Sequence, residues 1–515
     1  MKSYSIIKFA SIVSLSIVLA ISGAGCKKFL EEKDPSNLTP DNFYTIPQHA
    51  EAAIAAAYSQ TRFITGGANI ISINYQMLDA VTGIVTTESA QNSDLNNLLG
   101  LAHDAGNQHV INWWNGLYRV IAQANLVLDK VPGINPMDEA QKKSILGQAA
   151  FLRAWAYFYA VQIWGDVPLI LLPQTATSED FYPSRTPAAQ VYDQIVTDLE
   201  FAETANLPWT DVSGRVNRAA VKSLLAKVFL TMAGQPLNKG AEYYGKAATK
   251  ANEVITGAGI DLFTDYAYLH DYAHKNAGEH IFQIQYNSSI VANNDLQILW
   301  LPNFKPITAY TASFGTTVPT KSFYDSYEAN DLRTEDQRGF FYSTYFTGGT
   351  GASYDLDAPY IFKHFDIVAN GKPGTAGTAN SSLNLPQIRF ADILLVYAEA
   401  QNEVSGPTQD AYNALKKIRD RAELTTPILS SFDKDSFRKA VWRERWYELC
   451  FENVLWFDMV RTKKVFNTTT KDFDDFVGHV NLSTNKALAE KHLLFPLPRP
   501  EVQNNPNLTP QNPGY

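Results

Sequence analysis

The sequence predicts a mainly α-helical protein in which helices stack in pairs, with long loops and a few short strands. Apolar residues, many of them alanine or aromatic, recur at three- and four-residue spacing, as on one face of a helix. This period is found near residues 47–62, 108–130, 138–164, 187–205, 217–233 and 240–256. It resumes in three C-terminal segments, 389–404, 410–424 and 435–461. The region between, 259–385, is rich in Gly, Asn, Thr and Tyr, which is typical of long loops.

The segment 138–164 shows the helical pattern most clearly. One apolar stripe runs along it through Ile145, Ala149, Leu152, Ala156, Tyr159 and Ile163. Gly165 and Asp166 predict the end of this helix, and Pro168 keeps the following residues extended. Small residues facing large aromatic ones on paired helices are typical of tetratricopeptide-like units. The sequence therefore predicts a tetratricopeptide-like scaffold, although no clean repeat of about 34 residues is visible.

The first residues predict a secretory signal that ends at a lipidated cysteine. Lys2 and Lys8 give a basic start, and the apolar stretch 9–22 is too short to span a bilayer as a mature helix. Small residues at 23–25 lead directly to Cys26, a pattern that resembles the bacterial lipobox, with Gly at position 23 where Leu is usual. We expect Cys26 to carry the lipid. The alternative is an ordinary signal cut before an incidental cysteine.

Charge and cysteine content limit the class of partner. The chain has a net charge of −9, and loss of Lys2 and Lys8 with the signal makes it −11. An acidic protein with no basic block is not expected to bind nucleic acid or to be held on anionic lipid by charge. Acyl chains are then the anchor, and because one chain binds a bilayer only marginally we expect two or more. Cys450 is the other cysteine, so stability must come from a large core rather than from disulfides.

Two further segments have patterns of their own. Within the loop-rich middle, residues 279–287 alternate as a short strand does. The C-terminal residues 494–515 are rich in Pro and Asn and predict an irregular tail.

Segments along the whole chain share a resemblance to one protein family. The resemblance begins at the cysteine with CKKFLEEKDPS (26–36) and ends with LFPLPRPEV and PNLTPQNPGY at the C-terminus. Between them lie FLRAWAYFYAVQIWGDVPL (151–169), RTPAAQVYDQIVTDLEFAE (185–203), GRVNRAAVKSLLAKVFL (214–230), PTKSFYDSYEANDLR (319–333), LPQIRFADILLVYAEAQNE (385–403), IRDRAEL (418–424) and RERWYELCFENVLWFDMVR (443–461). Any one of these is weak evidence, but in this common order they resemble the SusD/RagB family of nutrient-binding lipoproteins of the Bacteroidetes outer membrane.

The resemblance implies a fold, a location and a partner. Members have a mainly α-helical fold on tetratricopeptide-like helix pairs, and they lie on the cell surface beside a SusC-like TonB-dependent transporter. They act there as a lid that captures a ligand for import, usually an oligosaccharide and in some members a peptide. On this basis the chain divides into four parts. They are a signal peptide (1–25), a lipidated tether (26–46), an N-terminal helical part (47–258) and a C-terminal part with ligand-binding loops and returning helices (259–515).

The family's ligand site implies which loops bind here. It is built from the loop after the first helix and from loops in the middle of the chain, which correspond to 64–100 and 286–318. A sugar ring packs its C–H face on an aromatic ring while polar side chains hydrogen-bond its hydroxyls. The candidate ligand-binding residues are therefore Asn74, Tyr75, Asp79, Trp300, Asn303, Phe304 and Tyr310. The first region has no tryptophan, whereas starch-binding relatives stack sugar on one there, which argues against starch. We expect the aromatic residues on helices to be core: Trp155, Tyr157, Tyr159, Trp164, Trp442, Trp446 and Trp456.

Other clusters of functional side chains favour structural roles. His270 and His274 have a spacing that can ligate zinc, but the context favours a surface histidine pair, and no metal site is predicted. The loop carboxylates Asp355 and Asp357 leave open a surface calcium ion; no other cofactor is expected. Glu444 and Glu448 could suggest a glycosidase pair, yet they share one helix with arginine residues, which is typical of salt bridges.

No catalytic set emerges from the sequence, and Cys450 is expected to be a buried small hydrophobe. The preferred function is a surface protein that binds a nutrient, most simply an oligosaccharide, and delivers it to the transporter. The alternatives left open are a surface-anchored hydrolase on the same scaffold, a peptide-binding member of the family and a structural adaptor for the transporter.

Overall fold

The computed structural model describes residues 43–69, 72–89, 91–290, 292–303, 314–346, 353–366 and 381–515. The predicted signal peptide, Cys26 and most of the tether lie outside the described residues, as do Phe304 and Tyr310. In the described ranges, no helix has the length and the apolar character needed to cross a membrane.

Helices dominate the described chain, as the sequence predicts. In chain order they are α1 (Pro47–Gln60), α2 (Gln76–Ala80), α3 (Ser93–Leu99), α4 (Gln108–Lys130), α5 (Glu139–Trp164), α6 (Ala188–Glu203), α7 (Arg218–Ala233), α8 (Ala241–Gly257), α9 (Lys321–Tyr324), α10 (Phe390–Ser405), α11 (Gln409–Arg421), α12 (Lys434–Leu449), α13 (Leu455–Thr462) and α14 (Arg499–Asn504). The longer helices follow the predicted segments to within a few residues, whereas the short helices α2, α3, α9 and α14 carry too few turns to show a period.

Successive helices from α4 to α8 pack side by side and form the predicted stack. α4 packs on α5, α5 on α6, α6 on α7 and α7 on α8. Small residues allow close approach, since a Cβ on Gly147 of α5 would lie only 2.4 Å from the Cβ of Ala205, just beyond α6. α5 is buried on nearly all sides, with Trp155 and Trp164 inside the core. This helix is therefore the centre of the stack, rather than a helix with one apolar stripe.

The C-terminal helices extend the same body. α10 packs against α8 and then against α11 and α12. The continuous helical pattern over 435–461 predicted one long segment, but the chain turns between α12 and α13. Phe451 and Asn453 adopt left-handed backbone conformations there, with φ of +61° and +58°. This conformation disfavours side chains with a Cβ, so contacts with other elements must hold the turn.

Strands occur in the described chain as two-stranded antiparallel pairs. The strands are β1 (Gly67–Asn69), β2 (Ser72–Ile73), β3 (Val85–Thr86), β4 (His280–Ile284), β5 (Val318–Pro319), β6 (Phe341–Phe346), β7 (Ser353–Ile361), β8 (Leu385–Arg389), β9 (Lys464–Asn467), β10 (Asp472–Asp475), β11 (Val480–Asn481) and β12 (Lys486–Ala487). The pairs are β1–β2, β3–β5, β4–β8, β6–β7, β9–β10 and β11–β12. The predicted strand at 279–287 is confirmed as β4, and both of its faces are buried.

An apolar core runs through the helices, and a smaller cluster lies under the loops. The smaller cluster consists of Leu301, Val318, Tyr342, Tyr360, Phe362 and Phe365. Cys450 is buried in the main core, as predicted, and burial raises the pKa of its thiol to about 11. The helical aromatic residues predicted as core are buried as well, except that Tyr159 and Trp442 are half-buried.

Buried ion pairs connect α12 to other parts of the chain. Glu444 Oε1 lies 2.6 Å from Arg333 Nη1, and Glu448 Oε1 lies 2.6 Å from Arg421 Nη2 and 3.1 Å from Arg389 Nη1. All five side chains are buried. The predicted salt-bridge role of the two glutamates is confirmed, but the arginine partners come from other elements rather than from α12 itself. Neither carboxylate faces a cleft.

The C-terminal residues 494–515 are fastened to the end of α5, although the sequence predicted an irregular tail. Trp164 Nε1 donates a hydrogen bond of 3.0 Å to the carbonyl of Pro496. Asn512 Nδ2 donates to the carbonyls of Trp164 and Phe495, at 3.0 and 2.7 Å. A proline carbonyl accepts one of these hydrogen bonds and an asparagine side-chain amide donates the other two, so the segment is ordered although its sequence has no helical or strand period.

Candidate functional site

The two loop regions predicted to bind the ligand, 64–100 and 286–318, are joined by a short antiparallel pair. Strand β3, from the first region, pairs with β5, from the second, with Val85 opposite Pro319. We call this meeting place the loop junction: residues 72–89, 296–303, 314–320 and β7. Because main-chain hydrogen bonds fix the two regions to each other, side chains distant in sequence are held together there.

The floor of the loop junction is aromatic and fully buried. The ring of Trp300 packs edge-on against Tyr75, with centroids 6.1 Å apart, and lies 6.3 Å from the ring of His364. Tyr75 Oη donates to the carbonyl of Phe451, and His364 Nε2 lies 3.0 Å from that same oxygen. Trp300 is 0% exposed and Tyr75 is 2% exposed. These rings therefore hold the left-handed turn after α12 in place.

The rim of the loop junction is centred on Glu88. The backbone N–H of Asn303 donates to Glu88 Oε2 at 2.8 Å, and Tyr360 Oη donates to Glu88 Oε1 at 2.5 Å. Gly315 has φ of +57°, and a Cβ there would lie 2.2 Å from Glu88 Oε2. The exposed carboxylate of Glu88 thus connects three segments of the rim, and glycine at 315 is required for it to fit.

Asn74 connects the first loop region to the helical stack. Its Nδ2 donates to the carbonyl of Phe63 at 2.7 Å, and its Oδ1 accepts from Asn112 Nδ2 at 2.9 Å. Trp113 Nε1 donates to its backbone carbonyl at 2.7 Å. Both amide atoms are thereby used within the protein, so Asn74 positions the loop on α4.

Asp79 is a buried carboxylate on α2. It is 2% exposed, and its Oδ1 has no hydrogen-bond partner among the described residues. Burial raises its pKa from 3.8 to about 7, while the backbone N–H of Asn453 and the charge of Lys363 act in the opposite direction. The side chain therefore faces the same turn that Tyr75 holds.

The structure brings Asn74, Tyr75, Asp79 and Trp300 together, but in the interior. The sequence predicted them as ligand contacts on loops; instead they are at most 5% exposed, and Trp300 ends a 3-10 helix whose apolar residues face inward. In this conformation they offer a ligand no surface, and they support the loops. Of the described candidates, Asn303 lies at the rim and is half-buried; its Oδ1 is buried and has no hydrogen-bond partner in the described ranges.

Two residues of the rim escaped the sequence analysis. Tyr360 is nearly buried yet reaches Glu88, and Gly315 provides the space for that carboxylate. The signal that could have indicated Tyr360 is the aromatic and apolar run 360–362 at the end of β7. Gly315 follows directly after an aromatic loop segment, where a positive φ is hard to infer without its neighbours.

Comparison with known proteins identifies the family. A family described as "SusD family" matches residues 335–515, and one described as "Starch-binding associating with outer membrane" matches residues 28–230. A SusD superfamily protein from Parabacteroides distasonis is 35% identical, with a TM-score of 0.84 over 93% of this chain and 100% of that one. The chain belongs to the SusD family. The resemblance read from the sequence and the mainly α-helical, tetratricopeptide-like fold are thereby confirmed.

Two more distant relatives of this SusD-family chain are also similar to it over nearly its whole length. SusD-like protein P2 of Formosa agariphila is 28% identical, over 97% of this chain and 98% of its own length. The surface glycan-binding protein A of Bacteroides thetaiotaomicron, in complex with laminarihexaose, is 20% identical, with a TM-score of 0.72 over 91% of this chain and all of that one. At that level of identity the second comparison shows a shared fold.

The histidines of this SusD-family chain do not form the predicted surface pair. His270 is buried, whereas His274 places its Nδ1 2.8 Å from Asp271 Oδ2 and stacks its ring on Tyr268. The two lie in successive 3-10 helices rather than on one face of an α-helix. In the described part of the chain, no three His, Cys, Asp or Glu side chains are grouped so as to hold a metal ion.

Replacing Asp79 by asparagine is expected to raise the stability of this SusD-family protein relative to the wild type as the pH rises from about 5 to 8. The folded-state pKa of about 7 exceeds the ordinary value of 3.8, so the stability linked to protonation is present below pH 3.8 and is lost as the pH rises through 7. Between about pH 5 and pH 8 the wild type should lose roughly 2.5 kcal/mol of unfolding free energy relative to D79N, at about 1.4 kcal/mol per pH unit below pH 7, and above pH 8 the difference should be constant. Urea unfolding across this range measures the difference.

The matched control for D79N is Asp355→Asn, which changes an exposed carboxylate on β7. The difference in unfolding free energy between this control variant and the wild type should not vary with pH. A D79N difference that stays constant between about pH 6 and pH 9 would show that Asp79 is ionised in the folded protein throughout this range.

Proposed function

We propose that this protein is a lipid-anchored protein of the outer membrane that captures an oligosaccharide at the cell surface and delivers it to a SusC-like TonB-dependent transporter. The observation that carries this proposal is membership of the SusD family over almost the whole chain, including the match of residues 28–230 to the family described as starch-binding and associating with the outer membrane. The relative solved with laminarihexaose supports a glycan as the ligand.

The anchor is proposed from the N-terminal sequence. Cys26 follows an apolar signal and begins the segment that resembles the family's mature N-terminus. Lipid at this position holds the protein on the membrane without a spanning helix, and two or more chains make that attachment stable. Incorporation of labelled palmitate into the wild type and its loss in Cys26→Ser would test this.

The loop junction is the proposed place of capture. Its buried floor fixes the two loop regions, and Glu88 at its rim holds Asn303, which directly precedes residues 304–313 with Phe304 and Tyr310. We propose that these aromatic residues stack on the sugar and that the rim hydrogen-bonds its hydroxyls. The buried residues beneath the rim then fix its geometry; they are Asn74, Tyr75, Asp79 and Trp300.

Binding without chemistry is favoured over hydrolysis. A glycosidase needs two carboxyl groups facing each other across a cleft, about 5–9 Å apart. Glu444 and Glu448, the pair that suggested this chemistry, are buried and neutralised by arginine residues. The proposal is therefore reversible capture, with a surface-anchored hydrolase or a peptide-binding member as alternatives.

A ligand screen tests the proposal. The chain without its signal and without Cys26 would be mixed with neutral glycans and peptides, with thermal unfolding as the readout and product analysis in the same samples. A ligand that binds the folded state raises the unfolding temperature, because it stabilises that state by mass action. A stabilising glycan recovered intact is the expected result. Cleaved glycan would favour the hydrolase. A rise in the unfolding temperature with peptides alone would show that the ligand is a peptide and not a glycan.

Replacing Tyr310 by alanine is expected to weaken binding of the glycan found in that screen by roughly 1–3 kcal/mol, the usual loss when a central aromatic contact is removed. Isothermal titration measures the change. The matched control is Phe201→Ala, which removes a 40% exposed ring from α6 and should leave the affinity unchanged. Equal affinity for Y310A and the wild type would remove Tyr310 from the proposed site.

A further inference from the structure

A groove on the helical stack lies apart from the loop junction. It has a volume of about 470 Å³ and runs between α4, the segment 168–183 that follows α5, and α14 near the C-terminus. None of its lining residues belongs to the predicted binding regions 64–100 and 286–318. Its volume is within the range of small-ligand sites, about 300–1,000 Å³.

Two aromatic rings stand exposed at the mouth of this groove. Phe181 is 47% exposed and Tyr182 is 51% exposed, and the rings meet edge to face with centroids 5.0 Å apart. Leu172, also in the groove, is 69% exposed. Large apolar side chains that remain together at a surface typically mark a place of interaction.

The backbone beneath the rings is held by side-chain hydrogen bonds. Asn505 Nδ2 donates to the carbonyl of Pro183 at 2.8 Å, and Asn507 Nδ2 donates to the carbonyl of Tyr182 at 2.7 Å. On the other side, Gln174 Nε2 donates to the carbonyl of Asp180 at 2.8 Å. The exposed rings are therefore presented by a fixed loop, which reduces the entropy lost when a ligand binds.

Polar side chains with unused hydrogen-bonding atoms line the same groove. The side chains of Asn115, Arg119 and Asn504 make no hydrogen bond or ion pair within the part of the chain that the structure describes. Glu501 and Trp114 both line the wall of the groove. Amide and guanidinium groups thus lie beside aromatic rings, and Arg119 and Glu501 give opposite charges.

This combination suits a sugar better than other small ligands. A pyranose offers a C–H face for a ring and hydroxyls that both donate to and accept from amides. An anionic ligand would find a single cation, Arg119, in a groove that also holds the carboxylate of Glu501. A peptide added as a β-strand would need a strand edge, and no lining residue of this groove belongs to a strand.

We propose that this groove is a second carbohydrate-binding site, which takes a pyranose segment of a neutral oligosaccharide on Phe181 and Tyr182. The inference rests on the proposed function, because it assumes that the protein's ligand is a glycan. Asn115, Arg119 and Asn504 hydrogen-bond the hydroxyls. A chain long enough to contact both the groove and the loop junction binds with higher apparent affinity than a short one, because the second contact is intramolecular.

The test uses laminarihexaose, maltohexaose and cellohexaose as probes at about 10 mM, where a millimolar site is mostly occupied. Saturation-transfer NMR and calorimetry would compare the wild type with the double variant Phe181→Ala/Tyr182→Ala. Both rings are half-exposed, so the variant should fold with an unchanged unfolding temperature. Phe201→Ala is the matched control for loss of an exposed ring, and Tyr310→Ala reports on the other site.

We expect the double variant to lose roughly tenfold or more in affinity for at least one probe, the loss that follows removal of an aromatic hot spot. Y310A should retain a saturable component that the double variant lacks. If the double variant binds every probe as the wild type does while Y310A does not, the second site is overturned and the proposed function stands. If the wild type binds none of the probes, the second site is overturned, and the proposed function is decided by the wider ligand screen. Unchanged glycan binding with reduced association to the transporter would identify the groove as a protein interface instead.

Discussion

Replacing Arg333 by alanine is expected to lower the free energy of unfolding by about 3–5 kcal/mol, as when one partner of a buried ion pair is removed. The guanidinium is fully buried and lies 2.7 Å from Asp331 Oδ2 and 2.6 Å from Glu444 Oε1. It is also 5.7 Å from the ring centroids of Tyr327 and Tyr447. Without it, two buried carboxylates lose the charge that compensates them. Urea unfolding at neutral pH measures the loss.

Arg338→Ala is the matched control for R333A. Arg338 pairs with Glu335 at 2.7 Å, but both side chains are exposed, so the change should cost about 0–1 kcal/mol. Arg333→Lys retains the charge without the planar contacts and should fall between the two. If R333A were no less stable than R338A, the network around α12 would not depend on its central cation.

Replacing Trp300 by alanine is expected to destabilise the fold by about 3–5 kcal/mol, the usual cost of emptying a buried tryptophan site. The ring is 0% exposed and fills the floor of the loop junction beside Tyr75 and His364. Its Nε1 has no hydrogen-bond partner among the described residues. Thermal and urea unfolding of W300A measure the loss.

Trp300→Phe separates a buried role from direct contact with a ligand. Phenylalanine keeps much of the volume and removes the unpaired N–H, so the loss of stability should be smaller than for alanine. If Trp300 only supports the rim, W300F should bind the screened glycan with nearly wild-type affinity. A tenfold loss of affinity in W300F with little change in stability would restore Trp300 as a direct contact.

These predictions separate a rigid base from the proposed binding rim. The base consists of the helical stack, the buried ion pairs of α12 and the aromatic floor. It holds the turn at Phe451 and Asn453, whose backbone conformation is unfavourable in isolation. Glu88 and Asn303 are fixed above this base, so the rim has a defined geometry.

The long helices could be predicted from the sequence because their signal is local. Apolar spacing and Gly165 placed the end of α5, and the same spacing placed α4 over 108–130. The turn after α12 could not be predicted, since the apolar spacing continues through it. Contacts from Tyr75, His364 and Lys363, far away in the chain, decide the conformation there.

In the candidate site, too, some features could be predicted from the sequence and others depend on contacts between distant residues. The family resemblance implied that the two loop regions belong to one site, and strands β3 and β5 join them. The sequence did not indicate that Trp300 and Tyr75 face inward, because an aromatic residue in a loop has the same spacing whether it is buried or exposed. It also gave no sign of the Phe181 and Tyr182 groove, whose walls come from α4, the segment after α5 and the C-terminal helix.

By itself, the sequence determined the helical class, the family, the structural roles of Glu444 and Glu448 and the burial of Cys450. The helical class, the two structural glutamates and the buried cysteine depend on residue type and on spacing within one segment, and the family depends on the order of such segments along the chain. The tertiary structure decided the exposure of Trp300, the partners of Glu88, the pKa of Asp79 and the existence of the groove. Each of these depends on the distance between residues that the chain separates widely, and such a distance is set by the packing of the whole core rather than by local propensity.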